Sequence, residues 1–342
     1  MTTFKQVRGT DILVLSSDPA NPETGQIWYN SSSGTLKGYM AATVGWSSGP
    51  NMNTGRFGLA GAGNQTAALG FGGYIGGGPG VNTTAATESY NGSVWTTVSS
   101  MPLARRYLGG CGTQTAALGF GGYVLSPPFK TTQTTAWGGS SWTVVNSMNT
   151  ARTSLASFGT QTAAIGAGGD NYPPATGRPS NVTESWNGTS WTTSPATLNT
   201  SRRGLRGTGT NTAGLAFGGY IETPVYQVAS ESFNGTAWTN TASLNTGRQR
   251  LAGFGTQTAS LAVGGYGATT QTAAVESWNG STWTNTTSYP VGIDAAAGGG
   301  TQTSGYIFNG STAAAPAPSY SVTSTNFWIG PGSLATKTIT VS

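Results

Sequence analysis

Apolar residues fall in short runs along this chain, and the runs are separated by Gly, Asn, Ser and Thr. Ala67-Ala68-Leu69-Gly70-Phe71 and Ala117-Leu118-Gly119-Phe120 are examples, and each ends at a Gly pair. No 3.6-residue period runs through them, so the pattern predicts strands rather than helices. The runs also recur in phase. Thr-Gln-Thr-Ala, or a close variant, precedes them at Gln65, Gln114, Gln161, Asn211, Gln257 and Gln302, at spacings of 45 to 50 residues. Gly pairs follow at Gly72-Gly73, Gly121-Gly122, Gly168-Gly169, Gly218-Gly219 and Gly264-Gly265, with Asn309-Gly310 in that place in the last copy.

A second phrase follows in each unit. It reads Glu88-Ser89-Tyr90-Asn91-Gly92 with Trp95, and recurs at Glu184 with Trp191, Glu231 with Trp238 and Glu276 with Trp283. The copy around Trp137 and Trp142 is degenerate. Asn-Gly between two strand-like runs predicts a tight hairpin, because a type I′ turn places two residues at positive φ. About ten residues after the repeat Trp stands an Arg: Arg56, Arg105, Arg152, Arg202 and Arg248. Each unit therefore reads as four short strands. The first follows the Arg, the second carries Gln-Thr-Ala, the third Glu-Ser-aromatic, and the fourth begins at the Trp. Radially repeated four-stranded units of this length are β-propeller blades.

Gly-Gly, a Glu-x-aromatic strand, Trp and then Arg resemble the kelch repeat, and the resemblance covers roughly residues 27–310. It implies an all-β, six-bladed kelch-like propeller. The stretch from Ile27-Trp28-Tyr29-Asn30 to Trp46 would supply the third and fourth strands of the last blade and so close it. A seventh blade is the alternative, because Trp328 follows Trp283 at the repeat spacing of 45. Residues 1–26 read as an N-terminal arm. Residues 311–342 read as an Ala/Pro-rich linker with an attachment strand near Lys337–Val341.

Composition narrows the chemistry. There is no His among the 342 residues, which excludes a Ser-His-Asp triad, a Cys-His dyad and any His-ligated metal. The single cysteine, Cys111, forms neither an internal disulfide nor a Cys-rich zinc site. Charged residues make up 7% of the chain and the net charge is +5, with no Lys-rich run. Nucleic acid is not expected as a partner. No apolar run reaches the roughly 20 residues of a membrane helix, and the N-terminus lacks the apolar core of a signal peptide.

Two sets of residues are candidates for a site. The repeat Arg residues would begin the strand nearest the central channel. They either form a ring that binds an anion or pair with the third-strand Glu and with backbone carbonyls; the pairing is the reading adopted, so these Arg are structural. The other set lies in the loops between second and third strands, where the units differ: Phe129, Lys130, Tyr172, Arg178 and Tyr226. Variable loops bearing aromatics on a rigid scaffold read as a recognition surface. Asp170 and Glu222 are the loop carboxylates a glycosidase would need, but no catalytic residue, metal or cofactor is assigned.

The stretch from Asp18-Pro19-Ala20-Asn21-Pro22 to Ile27-Trp28-Tyr29-Asn30 resembles a phrase found in structural proteins of tailed bacteriophages. Low charge without an export signal agrees with a protein assembled in a host cytoplasm and released by lysis. The resemblance implies a virion structural protein, not an enzyme, on the tail, fibre or head surface. It would be present in multiple copies, with other virion proteins as partners and host-surface glycans as a further one. The alternative is an extracellular carbohydrate-binding or carbohydrate-processing propeller.

Overall fold

The computed structural model describes residues 12–19, 26–41, 44–76, 82–171, 178–221, 225–312, 320–321, 324–330 and 334–338. The chain is all-β and divides into two compact units, Gly45–Trp328 and Met1–Val44 with Ile329–Ser342.

In the larger unit the repeats become four-stranded sheets, the arrangement a propeller is built from. The first comprises Ala60–Asn64, Ala67–Phe71, Thr87–Tyr90 and Trp95–Val98, antiparallel in that order. The next four have the same order, with first strands Gly109–Gly112, Ala156–Gly159, Arg206–Thr210 and Ala252–Gly255. Third and fourth strands meet at aromatic pairs such as Trp137 opposite Trp142 and Trp186 opposite Trp191. The Asn of the intervening turn caps it: Asn187 Oδ1 accepts from the amides of Thr189 and Ser190 at 2.9 and 2.8 Å.

A further sheet joins distant parts of the chain. Its order is Ala297–Thr301, Ser304–Phe308, Thr325–Ile329 and Gly45–Gly49. The N-terminal stretch at Trp46 thus supplies its fourth strand, as the sequence suggested. Its third strand differs from the expectation. Thr325–Ile329 occupies that place, while Ile27–Asn30 lies in the smaller unit. Trp328 accordingly stands where Trp137, Trp186 and Trp278 stand in other sheets. Its indole N–H donates to Gln302 O at 2.8 Å, as theirs donate to Gln114 O, Gln161 O and Gln257 O. It is a third-strand residue, not the fourth-strand Trp of another repeat.

The first strands adjoin one another in succession, and Ala297–Thr301 lies beside Ala60–Asn64. Just before them runs a circuit of backbone hydrogen bonds. Tyr107 N donates to Gly58 O, Ser154 N to Tyr107 O and Gly204 N to Ser154 O. Arg250 N then donates to Gly204 O, Ala295 N to Arg250 O and Gly58 N to Ala295 O, all at 2.6–2.8 Å. These six residues all have φ between 51° and 65°.

Between sheets the core combines aromatic and aliphatic side chains. Phe71 packs at 4.8 Å from Trp142, Phe120 at 4.7 Å from Trp191 and Phe217 at 5.0 Å from Trp283. The buried Trp N–H groups find partners in the neighbouring sheet, as buried indoles require. Trp142 donates to Thr87 Oγ1, Trp191 to Thr134 Oγ1 and Trp238 to Thr183 Oγ1.

The smaller unit holds one sheet in the order Leu13–Leu15, Ile27–Asn30, Thr35–Ala41, Leu334–Thr338. The first pair is parallel and the others antiparallel. Segments from both parts of the chain that flank the larger unit therefore share this sheet.

Candidate functional site

The repeat Arg side chains are fully buried: Arg56, Arg105, Arg152, Arg202 and Arg248 have no exposed surface. Four form ion pairs with the third-strand Glu, Arg56–Glu88 at 3.0 Å, Arg152–Glu184 and Arg202–Glu231 at 2.8 Å, and Arg248–Glu276 at 3.1 Å. The same guanidinium reaches backbone carbonyls. Arg152 Nη1 donates to Gly168 O and Val182 O at 3.0 and 2.6 Å. The second Glu oxygen accepts a backbone amide: Glu184 Oε2 from Asn149 N at 2.7 Å, and Glu88 Oε2 from Asn53 N at 2.7 Å. The Nη donors are engaged within their own sheet, Nε is left without a partner, and the side chains have no exposed surface to offer a ligand.

Arg105 differs. Thr135 stands in the Glu position, and Arg105 Nη2 donates to Thr135 Oγ1 at 2.6 Å. Burial without a carboxylate pushes its pKa down to about 9.

Phe129, Lys130 and Tyr226 among the loop candidates each contact described side chains. Phe129, at φ 64°, stacks on Tyr123 with ring centroids 6.1 Å apart. Lys130 is buried and pairs with Asp170 at 2.7 Å, and Asp170 in turn pairs with Arg203 at 3.3 Å. Tyr226 lies 5.5 Å from Tyr220, the ring under Arg203, and 6.0 Å from Tyr266. Arg178 is exposed, and Tyr172 and Glu222 lie outside the described residues. Asp170 is thus a buried ion-pair partner. Among the described residues no three His, Cys, Asp or Glu side chains converge as a metal site would require. Burial pushes the Cys111 thiol up to about 12, far from the thiolate a nucleophile needs.

A cavity of about 260 Å³ opens at the hydrogen-bonded circuit, lined by Tyr107, Ser154, Arg203, Gly204, Gln249 and Arg250. None of the loop candidates lines it. Around it, cations lie against tyrosine rings: Arg106 over Tyr74 and Tyr123 at 4.8 and 4.6 Å, Arg203 over Tyr220 and Arg250 over Tyr266 at 5.3 Å. Arg250 also pairs with buried Asp294 at 3.0 Å. Sequence reasoning missed this cluster, although a signal existed. Arg106, Arg203 and Arg250 stand one or two residues after a repeat Arg, and the Tyr follow the Gly pairs directly.

No family model matches the chain, and no curated protein matches it.

Proposed function

We propose that this chain is a structural protein of a tailed-bacteriophage virion, a six-bladed kelch-like β-propeller carried on the particle by its smaller unit. The observation that carries the reading is the makeup of that unit. Its sheet gathers strands from both flanks of the larger unit, and it is built on the phrase that resembles phage structural proteins. Asp18 of that phrase accepts hydrogen bonds from Trp28 Nε1, Asn30 Nδ2 and Lys37 Nζ at 3.0, 2.8 and 2.8 Å. Asp18, Trp28 and Asn30 of the phrase are thus joined by hydrogen bonds. The six-blade count and closure are supported by the four-stranded sheets, by the sheet joining Gly45–Gly49 to Thr325–Ile329, and by the circuit of six hydrogen bonds. In this reading the loop face meets a neighbouring subunit or the host surface, and no chemistry is asked of the chain.

The test is cryo-electron microscopy of purified particles, with mass spectrometry of their proteins. Propeller density in fixed copy number at symmetric positions is the expected result. Recovery of the chain only as free protein, absent from particles, overturns the proposal.

The second reading is a carbohydrate-binding propeller. The Tyr and Arg cluster around the 260 Å³ cavity favours it, since aromatic faces and guanidinium donors suit sugars bearing carboxylates. Glycan-array binding by the isolated chain that disappears in Arg203→Ala supports it; an array without signal removes it.

A further inference from the structure

One residue breaks the sixfold pattern on the inner wall of the larger unit. In five first strands the residue after the repeat Leu or its equivalent is small: Ala60, Gly109, Ala156, Ala252 and Ala297. In the fourth sheet it is Arg206. Its side chain lies across the interior, where Nε donates to Gly253 O at 3.2 Å and Nη2 to Gly298 O at 3.1 Å. Those acceptors belong to the next sheet and the one after it.

Arg206 borders two cavities. One, of about 60 Å³, lies against the hydrogen-bonded circuit and is walled by Leu59, Leu108, Leu155, Leu205 and Leu251. The other, of about 110 Å³, is walled mostly by glycine, including Gly61, Gly110, Gly207, Gly253 and Gly298. That volume is well above the ~30 Å³ share of one water. Glycine walls leave backbone amides and carbonyls facing the space. The polar side chains at its edge are already engaged: Ser157 Oγ with Gly110 N and O at 3.1 Å, and Thr208 Oγ1 with Ser260 Oγ at 2.7 Å.

Among the described residues no carboxylate lies within ion-pair distance of Arg206, and no acceptor is paired with Nη1. Burial lowers its pKa to about 10, which still leaves it protonated at neutral pH. The side chain is partly exposed to this space, so its charge can meet a small solute there. The fold does not demand this charge, because five sheets complete the same wall with Ala or Gly.

We propose that Arg206 makes the glycine-walled chamber a binding site for a small inorganic oxyanion of phosphate or sulfate size. The guanidinium supplies the charge and the free Nη1–H donors, and the chamber supplies the volume. The two carbonyl contacts hold the side chain across the chamber, so the site is preorganised. This inference stands independently of the virion reading.

Thermal unfolding of the full chain tests it, with phosphate, sulfate or chloride at matched ionic strength. Arg206→Ala is the informative variant, because Ala is the residue four other sheets carry at this position. Wild-type Tm is expected to rise by a few degrees, saturably, with phosphate or sulfate and not with chloride. Arg206→Ala is expected to lose the increment. ³¹P line broadening of phosphate by the wild-type chain, reversed by sulfate, is the direct readout should the variant fold poorly. Equal rises in wild type and variant would reveal generic salt exclusion and overturn the proposal. So would the absence of both a wild-type rise and line broadening.

Discussion

A buried guanidinium is tolerable when its charge is paired and most of its donors are used, and the repeat Arg meets this at both Nη atoms through a three-residue set, leaving Nε without a partner. In the third sheet Arg152 holds Glu184, and Glu184 also takes the amide of Asn149. Where the Glu is missing, the set changes together. In the second sheet Thr135 replaces Glu and Pro102 replaces Asn. Proline has no N–H, so no amide is orphaned by the lost carboxylate. In the last sheet Ile293, Asn326 and Pro290 take the three places, and Asn326 Nδ2 donates to Tyr289 Oη at 2.7 Å. The Arg and Glu were legible from their shared period. The Asn and Pro were not, because their role rests on a backbone amide that meets the carboxylate only after the strands pair. Glu184→Gln, which leaves Arg152 buried without a counter-charge, is expected to destabilise the chain by about 3–5 kcal/mol in denaturant unfolding. The reverse experiment is Thr135→Glu with Pro102→Asn. It supplies the missing carboxylate and amide, and is expected to raise Arg105's pKa above about 9 and to raise Tm at neutral pH. No gain from the double substitution would show that the set is not the unit of stabilisation.

At the scale of elements, two recurring devices join and bend the strands. Gln161 Nε2 donates to Ala117 O and Trp137 O of the preceding sheet at 3.1 and 2.6 Å, so one side chain clasps two strands. Gln257 does the same to Gly214 and Phe233. The sequence marked these Gln as punctuation in the repeat and gave no hint that they reach across sheets; a side chain's reach becomes visible only with the neighbour in place. Gln161→Ala is expected to cost roughly 1–2 kcal/mol, the worth of its two hydrogen bonds with some loss at the freed carbonyls. The second device is the glycine ending the first strand. At Gly159 φ is 111°, and a Cβ would stand 2.2 Å from Ala163 O. Gly159→Ala should therefore lower Tm sharply. Gly138→Ala, whose Cβ would meet nothing nearer than 4.0 Å, should leave it nearly unchanged. In the smaller unit, the hydrogen bonds from Lys37, Asn30 and Trp28 draw the Asp18 carboxyl down from 3.8 to about 2. Its contribution is complete above pH 3.8 and is lost as pH falls through about 2. An NMR titration of Asp18 with a midpoint near 3.8 would contradict this.

For the whole molecule, the period and the strand order within each repeat could be read from sequence, and so could the use of the Trp46 strand to complete a distant sheet. The origin of that sheet's third strand could not. Third and fourth strands both carry Trp, five residues apart in Trp137/Trp142, Trp186/Trp191 and Trp278/Trp283. Spacing alone cannot decide which kind Trp328 is. Its counterpart is Trp278, and Phe327 beside it packs 6.0 Å from Tyr90 of the first sheet. Ile27–Asn30 misled for a related reason: its aromatic-Asn pattern matches a third strand, while its Asp18 contacts belong to a separate module. Truncation after Ser324 removes the strand between Ser304–Phe308 and Gly45–Gly49. It is expected to replace one cooperative unfolding transition of the larger unit with a broad or early one. A truncated chain that melts as sharply and as high as the full chain would count against the role given to this strand.

The circuit of six hydrogen bonds runs in one rotational sense, each sheet donating to the one before it, and it returns to its start. A linear stack of repeats has end members that fray, and its unfolding can begin there. A circuit has none. The first sheet to leave must break two junctions at once, and the chain gains its freedom only afterwards. With the closure proposed above, the molecule's endurance is governed by the height of its unfolding barrier more than by its equilibrium stability.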